Sequence, residues 1–314
     1  MPIFQRSPES ETPAADISQA PEGSRSTWVS VAVNICLAAT QFAIGIFSHS
    51  QGLVADALHS LTDLVSDAIV LVAGPQARKA ADAGHPYGHQ RFETAATLVL
   101  GLLMLAVGLG MVTTAVVRLE TPESIPQVHG VALVVAVISL VAKEGLFRYM
   151  LAVAQRLRST LLVANAWHAR SDAASSLVVG IGIVGNLAGY PLLDPIAALI
   201  VGGMVAHMGL KFGWGALQDL MDRGADEDEV ETIRATLAAT PGVQGVHDLR
   251  TRRMGDLLAV DAHLEVDGRL TVEVAHAITV EARERVMAAH RVLSVMTHLD
   301  PADPAGPTDE LQAG

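Results

Sequence analysis

The chain has 314 residues, of which 50% are hydrophobic, 17% charged and 4% aromatic, with mean hydropathy +0.38 and formal net charge −12. Soluble domains carry about 25% charge, so this average points to a membrane protein and excludes disorder, collagen-like repeats and small disulfide scaffolds. The acidic balance excludes a general nucleic-acid binder, which needs a basic face, and the single cysteine, Cys36, leaves no intrachain disulfide and no cysteine-type zinc site.

Residues 1–26 hold Pro, Ser and Glu instead of the apolar stretch of a signal peptide, and read as a disordered tail. Six apolar blocks follow: Thr27–Phe47, Gly52–Ala73, Thr94–Val117, Gly130–Phe147, Thr160–Ala188 and Leu192–Lys211. Each approaches the ~20 residues a helix needs to cross a hydrocarbon core. They define a predicted membrane domain over residues 27–223. Basic residues alternate between its loops. Arg25, Arg78, Lys79, Arg91, Arg148, Arg156, Arg158, Lys211 and Arg223 fall on one side, and Arg118 alone falls on the other. Positive loops face the cytoplasm, which predicts cytoplasmic termini.

After Arg223 the composition changes. Val230, Ile233 and Leu237 share one helix face, and Pro241–Gly242 breaks that helix. Val243–Arg253 reads as a strand. Leu258, Val260, Ala262, Leu264 and Val266 alternate with Asp261, His263 and Glu265, the pattern of a half-buried second strand. Thr271–Ala289 is predicted helical and Val292–His298 a third strand. The fold class expected is an α-helical membrane protein with six transmembrane helices, followed by a small α+β domain (αββαβ) over residues 224–301 and a disordered tail over 302–314.

Polar residues inside the spans carry the functional argument. Asp56, His59, Asp63 and Asp67 are spaced three, four and four apart in span two, on one stripe of one helix. Asn165, His168 and Asp172 repeat the spacing in span five. Ionisable groups in a bilayer core are costly unless they face a partner or water. Opposed, the two His-x-x-x-Asp pairs offer two imidazoles and two carboxylates, a donor set suited to tetrahedral zinc. The same stripes could instead form a helix-packing polar network. The loop after span two adds Asp82, His85 and His89, either a further site or a solvated loop with incidental histidines. The α+β domain adds His247, His263, His276, His290 and His298 with Asp300, an enrichment that suggests metal.

Other signals read as structural. Gly180, Gly182 and Gly185 match a dinucleotide-binding spacing, but inside a span and with no preceding strand they serve close helix packing. Lys143, placed near the cytoplasmic end of span four, is expected to snorkel toward that interface.

The segments Asp56-Ala-Leu-His59-Ser-Leu-Thr-Asp63, His85-Pro-Tyr-Gly-His89, Asn165-Ala-Trp-His168-Ala-Arg-Ser-Asp172 and His247-Asp-Leu-Arg-Thr-Arg resemble the cation diffusion facilitator family, in its bacterial zinc and ferrous-iron efflux branch. The resemblance covers about residues 27–301. It implies a homodimeric metal–proton antiporter in the inner membrane, with a metallochaperone-like cytoplasmic domain. The implied transport site is His59, Asp63, His168 and Asp172, the implied loop site is Asp82 and His89 with His85 nearby, and the implied dimer-bridging site is His247, His263, His276, His298 and Asp300. An inter-protomer charge pair maps to Arg91 and Asp222. The branch pattern has Lys at Arg91 and Asp at His59, and the resulting His-Asp-His-Asp quartet is the variant the family associates with zinc.

The expected function is proton-coupled export of Zn2+, with Fe2+, Cd2+, Co2+ and Mn2+ as other candidate cargoes and zinc also a ligand of the cytoplasmic domain. The expected partners are a second copy of the chain, protons and the lipid bilayer, without nucleic acid. The rival reading is a non-transporting membrane metal sensor that signals through its cytoplasmic domain. An enzyme is not expected, since no HExxH or comparable catalytic motif occurs.

Overall fold

The computed structural model describes residues 21–121, 123, 125–156 and 160–302, with side chains throughout except at 21–27, 67, 70, 71, 160–165 and 168. The elements run in the order α1 (Pro21–Phe47), α2 (Gln51–Ala77), α3 (Arg91–Glu120), α4 (Gly130–Arg156), α5 (Thr160–Leu187), α6 (Leu193–Leu220), α7 (Glu227–Ala238), β1 (Gly245–Met254), β2 (Leu257–Asp267), α8 (Val272–Ala289) and β3 (Val292–Ala302). The predicted tails, 1–26 and 302–314, lie almost wholly outside the described residues, and so does Arg158.

Among the described residues, Trp28–Phe47, Arg91–Glu120, Gly130–Arg156 and Leu193–Leu220 are long and apolar enough to cross a membrane. α2 and α5 match them in length, at 27 and 28 residues, but interrupt their apolar runs with Asp and His. At 1.5 Å per residue such a helix is about 40 Å long. Five of the six long helices outrun their sequence-predicted blocks, and α5 ends one residue short of its own. α4 in particular continues to Arg156, nine residues beyond the expected end at Phe147.

The chain forms two compact units, residues 1–66 with 104–208, and residues 67–103 with 209–314. The first has a core of Leu53, Met111, Ala115, Ala132, Ala136, Val179, Ile183 and Val201. Small residues recur in it because helices must approach closely where lipid supplies no hydrophobic drive. A Cβ on Gly108 of α3 would lie 2.4 Å from the backbone nitrogen of Ala206 on α6. A Cβ on Gly182 of α5 would lie 2.6 Å from Cβ of Ala197, and one on Gly185 2.1 Å from Cδ1 of Leu193. Two of the three glycines that imitate a nucleotide fingerprint thus form a seam between α5 and α6, while a Cβ on Gly180 would meet nothing within 4 Å.

The N terminus of α2 is closed by a residue far away in sequence. Asp194, in the first turn of α6, accepts hydrogen bonds from Ser50 Oγ (2.6 Å), Gln51 N (2.7 Å) and Gly52 N (3.3 Å). The first N–H groups of a helix have no partner within it, and a carboxylate suits both their geometry and the helix dipole.

In the second unit, β1, β2 and β3 form one sheet in that order, with β1 antiparallel and β3 parallel to β2. The β2–α8–β3 segment is the crossover that parallel pairing requires. Leu258, Val260, Ala262 and Leu264 point into a core with Ile233, Leu237, Ala282, Val286, Val292 and Val295. The alternation of β2 therefore selects a buried face, and Asp261, His263 and Glu265 take the other. The Pro241–Gly242 break is a turn in which Gly242 has φ +92°, where a side chain would be strained.

Two predictions follow from this packing. Gly108→Ala should cost about 1–3 kcal/mol by overpacking and lower the unfolding midpoint in detergent. Gly110→Ala on the same helix, where a Cβ meets nothing within 4 Å, should not.

After β2, the Arg269 guanidinium, helped by its backbone N–H, donates to Asp267 and holds that carboxyl at about 2. A depressed carboxyl stabilises the fold above its unfolded value of about 3.9, and that contribution disappears as pH falls through the folded value. A carboxyl-detected NMR titration should place the Asp267 transition below that of an unfolded aspartate, and Arg269→Ala should raise it.

Candidate metal centres

Asp56, His59 and Asp63 follow the predicted stripe on α2, and Asp172 comes from α5. His59, 4% exposed, stands between the two other ligand candidates. Its Nδ1 is 3.7 Å from Asp63 Oδ2 and its Nε2 3.8 Å from Asp172 Oδ1. One ligand atom from each of the three residues lies within 4.8 Å of the others, close enough for one ion. The Asp63 and Asp172 side chains keep 18% and 15% of their surface, so the cluster is lined by protein but not sealed. His168 belongs to α5 one turn before Asp172, but its side chain lies outside the described residues, as do those of Asp67 and Asn165.

Asp56 does not join the triad. Its carboxylate accepts from Ser176 Oγ (2.6 Å), Ser175 Oγ (3.2 Å) and Gln41 Nε2, and lies 3.3 Å from Lys143 Nζ. Lys143 is 3% exposed and does not snorkel. A span four that ends at Phe147, where its apolar run stops, would put Lys143 near an interface. Because α4 runs on to Arg156, the residue sits mid-helix, and its ammonium turns inward to Asp56 and to Ser176 Oγ at 2.7 Å. Ser175, Ser176 and Gln41 went unnoticed in the sequence. The serines carried a readable signal, since they follow Asp172 by three and four residues and so continue its stripe.

The loop after α2 gathers Asp82, His85 and His89. Asp82 Oδ2 is 3.3 Å from His89 Nε2, and Asp82 Oδ1 is 3.5 Å from His85 Nδ1. The backbone N–H groups of His85 (2.7 Å) and Gly84 (2.9 Å) also donate to Oδ1, forming an Asx turn. The His85 N–H leads in holding the Asp82 carboxyl below the usual aspartate range. Desolvation opposes it, and the Gly84 N–H and the imidazoles of His89 and His85 assist. His89 is buried, and its Nδ1 contacts the Ala80 carbonyl at 3.1 Å, leaving Nε2 toward Asp82.

The third cluster lies on the outer face of the sheet. The register pairs His247 with His263 and His263 with His298, so three imidazoles cross three adjacent strands in one row. Asp300 binds the row together. Its Oδ2 is 2.8 Å from His263 Nδ1 and 3.2 Å from His247 Nε2, and its Oδ1 is 3.4 Å from His298 Nε2. Asp248, unnoticed in the sequence, joins His247 and His263 within ligand range. It has φ +46° at a register shift between His247 and Arg250, and a bulge of that kind cannot be read from residue types. Glu265 comes within 3.7 Å of His247. His276 is exposed on α8 and belongs to none of these groups among the described residues, and His290 is bonded to Thr236 Oγ1 at 2.8 Å.

Arg91 pairs with Asp222 of its own chain, and its Nη1 donates to the Leu220 carbonyl at 3.2 Å. Each metal-competent cluster combines imidazole with carboxylate, donors that suit divalent cations of borderline softness.

Residues 27–221 match the family model of the cation efflux transmembrane domain, and residues 225–302 that of the cation efflux protein cytoplasmic domain. Metal tolerance protein C1 of Arabidopsis thaliana is 36% identical over 296 residues, which cover 90% of this chain; the chain spans 63% of that relative's length. A transporter of Methanocaldococcus jannaschii is 32% identical over 275 residues, covering 88% of this chain and 97% of its own. Magnetosome protein MamB of Magnetospirillum gryphiswaldense is 30% identical over 261 residues, covering 82% and 87%. The metal-bound C-terminal domain of the CzcD transporter from Thermotoga maritima is 32% identical, with TM-score 0.23, and covers 24% of this chain and 87% of that one. With nearly all of its described length matched by the two family models, the chain is a multi-pass membrane protein and belongs to the cation diffusion facilitator family of metal cation efflux transporters.

Proposed function

We propose that the chain exports Zn2+ from the cytoplasm in exchange for protons, as a homodimer in the inner membrane. One observation carries this reading: His59, Asp63 and Asp172 bring their ligand atoms together among membrane-spanning helices, on two stripes whose fourth member is His168. Two imidazoles and two carboxylates form a tetrahedral set, and the nitrogen donors favour zinc over harder cations. Ferrous iron, cadmium, cobalt and manganese are the competing cargoes. The basic-residue asymmetry supports cytoplasmic termini. We assign the transport domain to residues 27–223 and the cytoplasmic metal-binding domain to 224–301.

Proton coupling follows from ligand chemistry. An imidazole must be neutral to bind metal, so protons and metal compete for the same nitrogens. Protonation from the outer side would release the cargo and reset the site. The loop cluster, Asp82 with His85 and His89, supplies a second place for a cation on the cytoplasmic side. The sheet row of His247, His263 and His298 with Asp300 supplies a third, and His276 is assigned to it as a further ligand of a site that bridges protomers, as the family resemblance implies. From Arg223 onward the chain has seventeen acids against nine arginines. Two such domains repel until divalent metal offsets their charge. Arg91 and Asp222, which pair within one chain, are assigned to hold the protomers' membrane parts in register by exchanging that pairing between copies.

Asp63→Ala or Asp172→Ala should abolish zinc uptake into inside-out proteoliposomes while the protein still inserts and unfolds cooperatively. His59→Asp exchanges a borderline nitrogen for a hard oxygen donor. It should weaken the preference for zinc, shift it toward the harder iron and manganese, and change the pH profile of transport. An unchanged ranking of metals and an unchanged profile would remove His59 from the ligand set. Dissipating the pH gradient should slow uptake, and undiminished uphill transport with no gradient would exclude proton coupling.

The cytoplasmic reading has a separate test. Adding zinc to chelator-treated protein should shorten the distance between spin labels on the two C-terminal domains, and His263→Ala should blunt that change.

A further inference from the structure

The buried Lys143–Asp56 pair, from α4 and α2, lies outside the ligand triad, and the cluster it anchors borders that triad on both ligand-bearing helices, α2 and α5. Asp56 precedes His59 by three residues on α2, and Ser175 and Ser176 follow Asp172 by three and four on α5. Between them, Lys143 Nζ reaches Asp56 Oδ1 (3.3 Å), Ser176 Oγ (2.7 Å) and the main-chain carbonyl of Asp172 (3.5 Å). Ser175 Oγ also donates to that carbonyl at 2.8 Å. Gln41 of α1 closes the cluster on Asp56. Asp56, Lys143, Ser175, Ser176 and Gln41 are each no more than 3% exposed.

Two physical facts bear on what this cluster does. A buried ion pair is weak evidence for stability, because a neutral pair of similar volume often serves as well. A metal site depends on ligand distances held within about 0.2 Å. The cluster fixes α2 to α5 one turn beyond the ligands of both helices. It also sets the local charge: the Lys143 ammonium offsets Asp56, so Asp63 and Asp172 remain as the two carboxylates facing the cargo, matching a divalent cation.

We propose that Lys143 and Asp56 are positioning residues that set the spacing and charge of the transport site and thereby its choice of cation. The pair need not touch the cargo. It acts through the backbone at Asp172 and through the α2 stripe at His59. This rests on the metal reading of the triad given above.

The test uses the full chain in proteoliposomes, with zinc and cadmium uptake measured for the parent, Asp63→Ala, Lys143→Arg and the double variant Asp56→Asn/Lys143→Met. The double variant leaves no unpaired buried charge, so its unfolding midpoint should stay near the parent's. Its KM for zinc should nonetheless rise about 10–100-fold, the usual cost of losing a group that orients a metal ligand, and its preference for zinc over the larger cadmium should narrow. Lys143→Arg keeps the charge but replaces a compact ammonium by a planar fork, and should shift the zinc-to-cadmium ratio with a smaller change in KM.

A parental KM and ratio in a folded double variant would overturn the proposal and leave the pair a packing element. If the double variant does not fold, parental values in Lys143→Arg overturn it equally. Zinc transport retained in Asp63→Ala would instead remove the metal site on which the proposal rests.

Discussion

Burying carboxylates among membrane helices is costly unless each finds a cation, a donor or water, and much of the first unit is arranged around that cost. Three solutions appear. Asp194 meets the unpaired N–H groups at the start of α2. Asp56 meets an ammonium and three neutral donors. Asp63 and Asp172 flank His59, an imidazole able to carry either a proton or a metal. Only the last pair keeps appreciable exposure. A carboxylate already satisfied by fixed protein donors has little to gain from a mobile cation, which makes Asp56 and Asp194 poor cation ligands.

The α+β unit handles charge differently. Its core is a plain aliphatic layer between one sheet face and two helices. Its chemistry lies on the opposite face, where solvent lowers the cost of ionisation and weakens each ion pair. There Asp300 gathers three imidazoles by proximity rather than by burial. Such an arrangement suits reversible occupancy, since protonation or an incoming ion can satisfy the same nitrogens.

Much of this was legible in the residues. The apolar blocks gave the helices, and the period-two pattern from Leu258 to Val266 gave β2 with its buried face correctly assigned. The His-x-x-x-Asp repeats put His59 and Asp63 on one helix stripe and mark Asp172 as their counterpart on another. Lys143 escapes a hydropathy reading because the apolar block ends before the helix does, and about two and a half further turns of α4 change an interfacial lysine into an interior one. The Asp194 cap was out of reach, because its partners Ser50 and Gln51 are 144 and 143 residues away and nothing local marks the pairing. The row of histidines was visible as composition but not as a row, since pairing register is fixed by turns and bulges that single residues do not announce.

That row gives the outer face of the sheet the character of a ladder whose rungs differ in chemistry. One rung holds His247, His263 and His298, the next brings Glu265 and Asp300 together, and on the other side of the histidines Asp261 accepts from Arg252. Side chains alternate between faces with each residue, so neighbouring strands can exchange rungs only by slipping two positions, while a slip of one turns a strand inside out. Losing a single residue from the middle of β2 would therefore delete no histidine, yet it would send His263 toward the aliphatic core or force the strand to bulge. The cluster is thus encoded as much by the length of its strands as by the identity of its ligands.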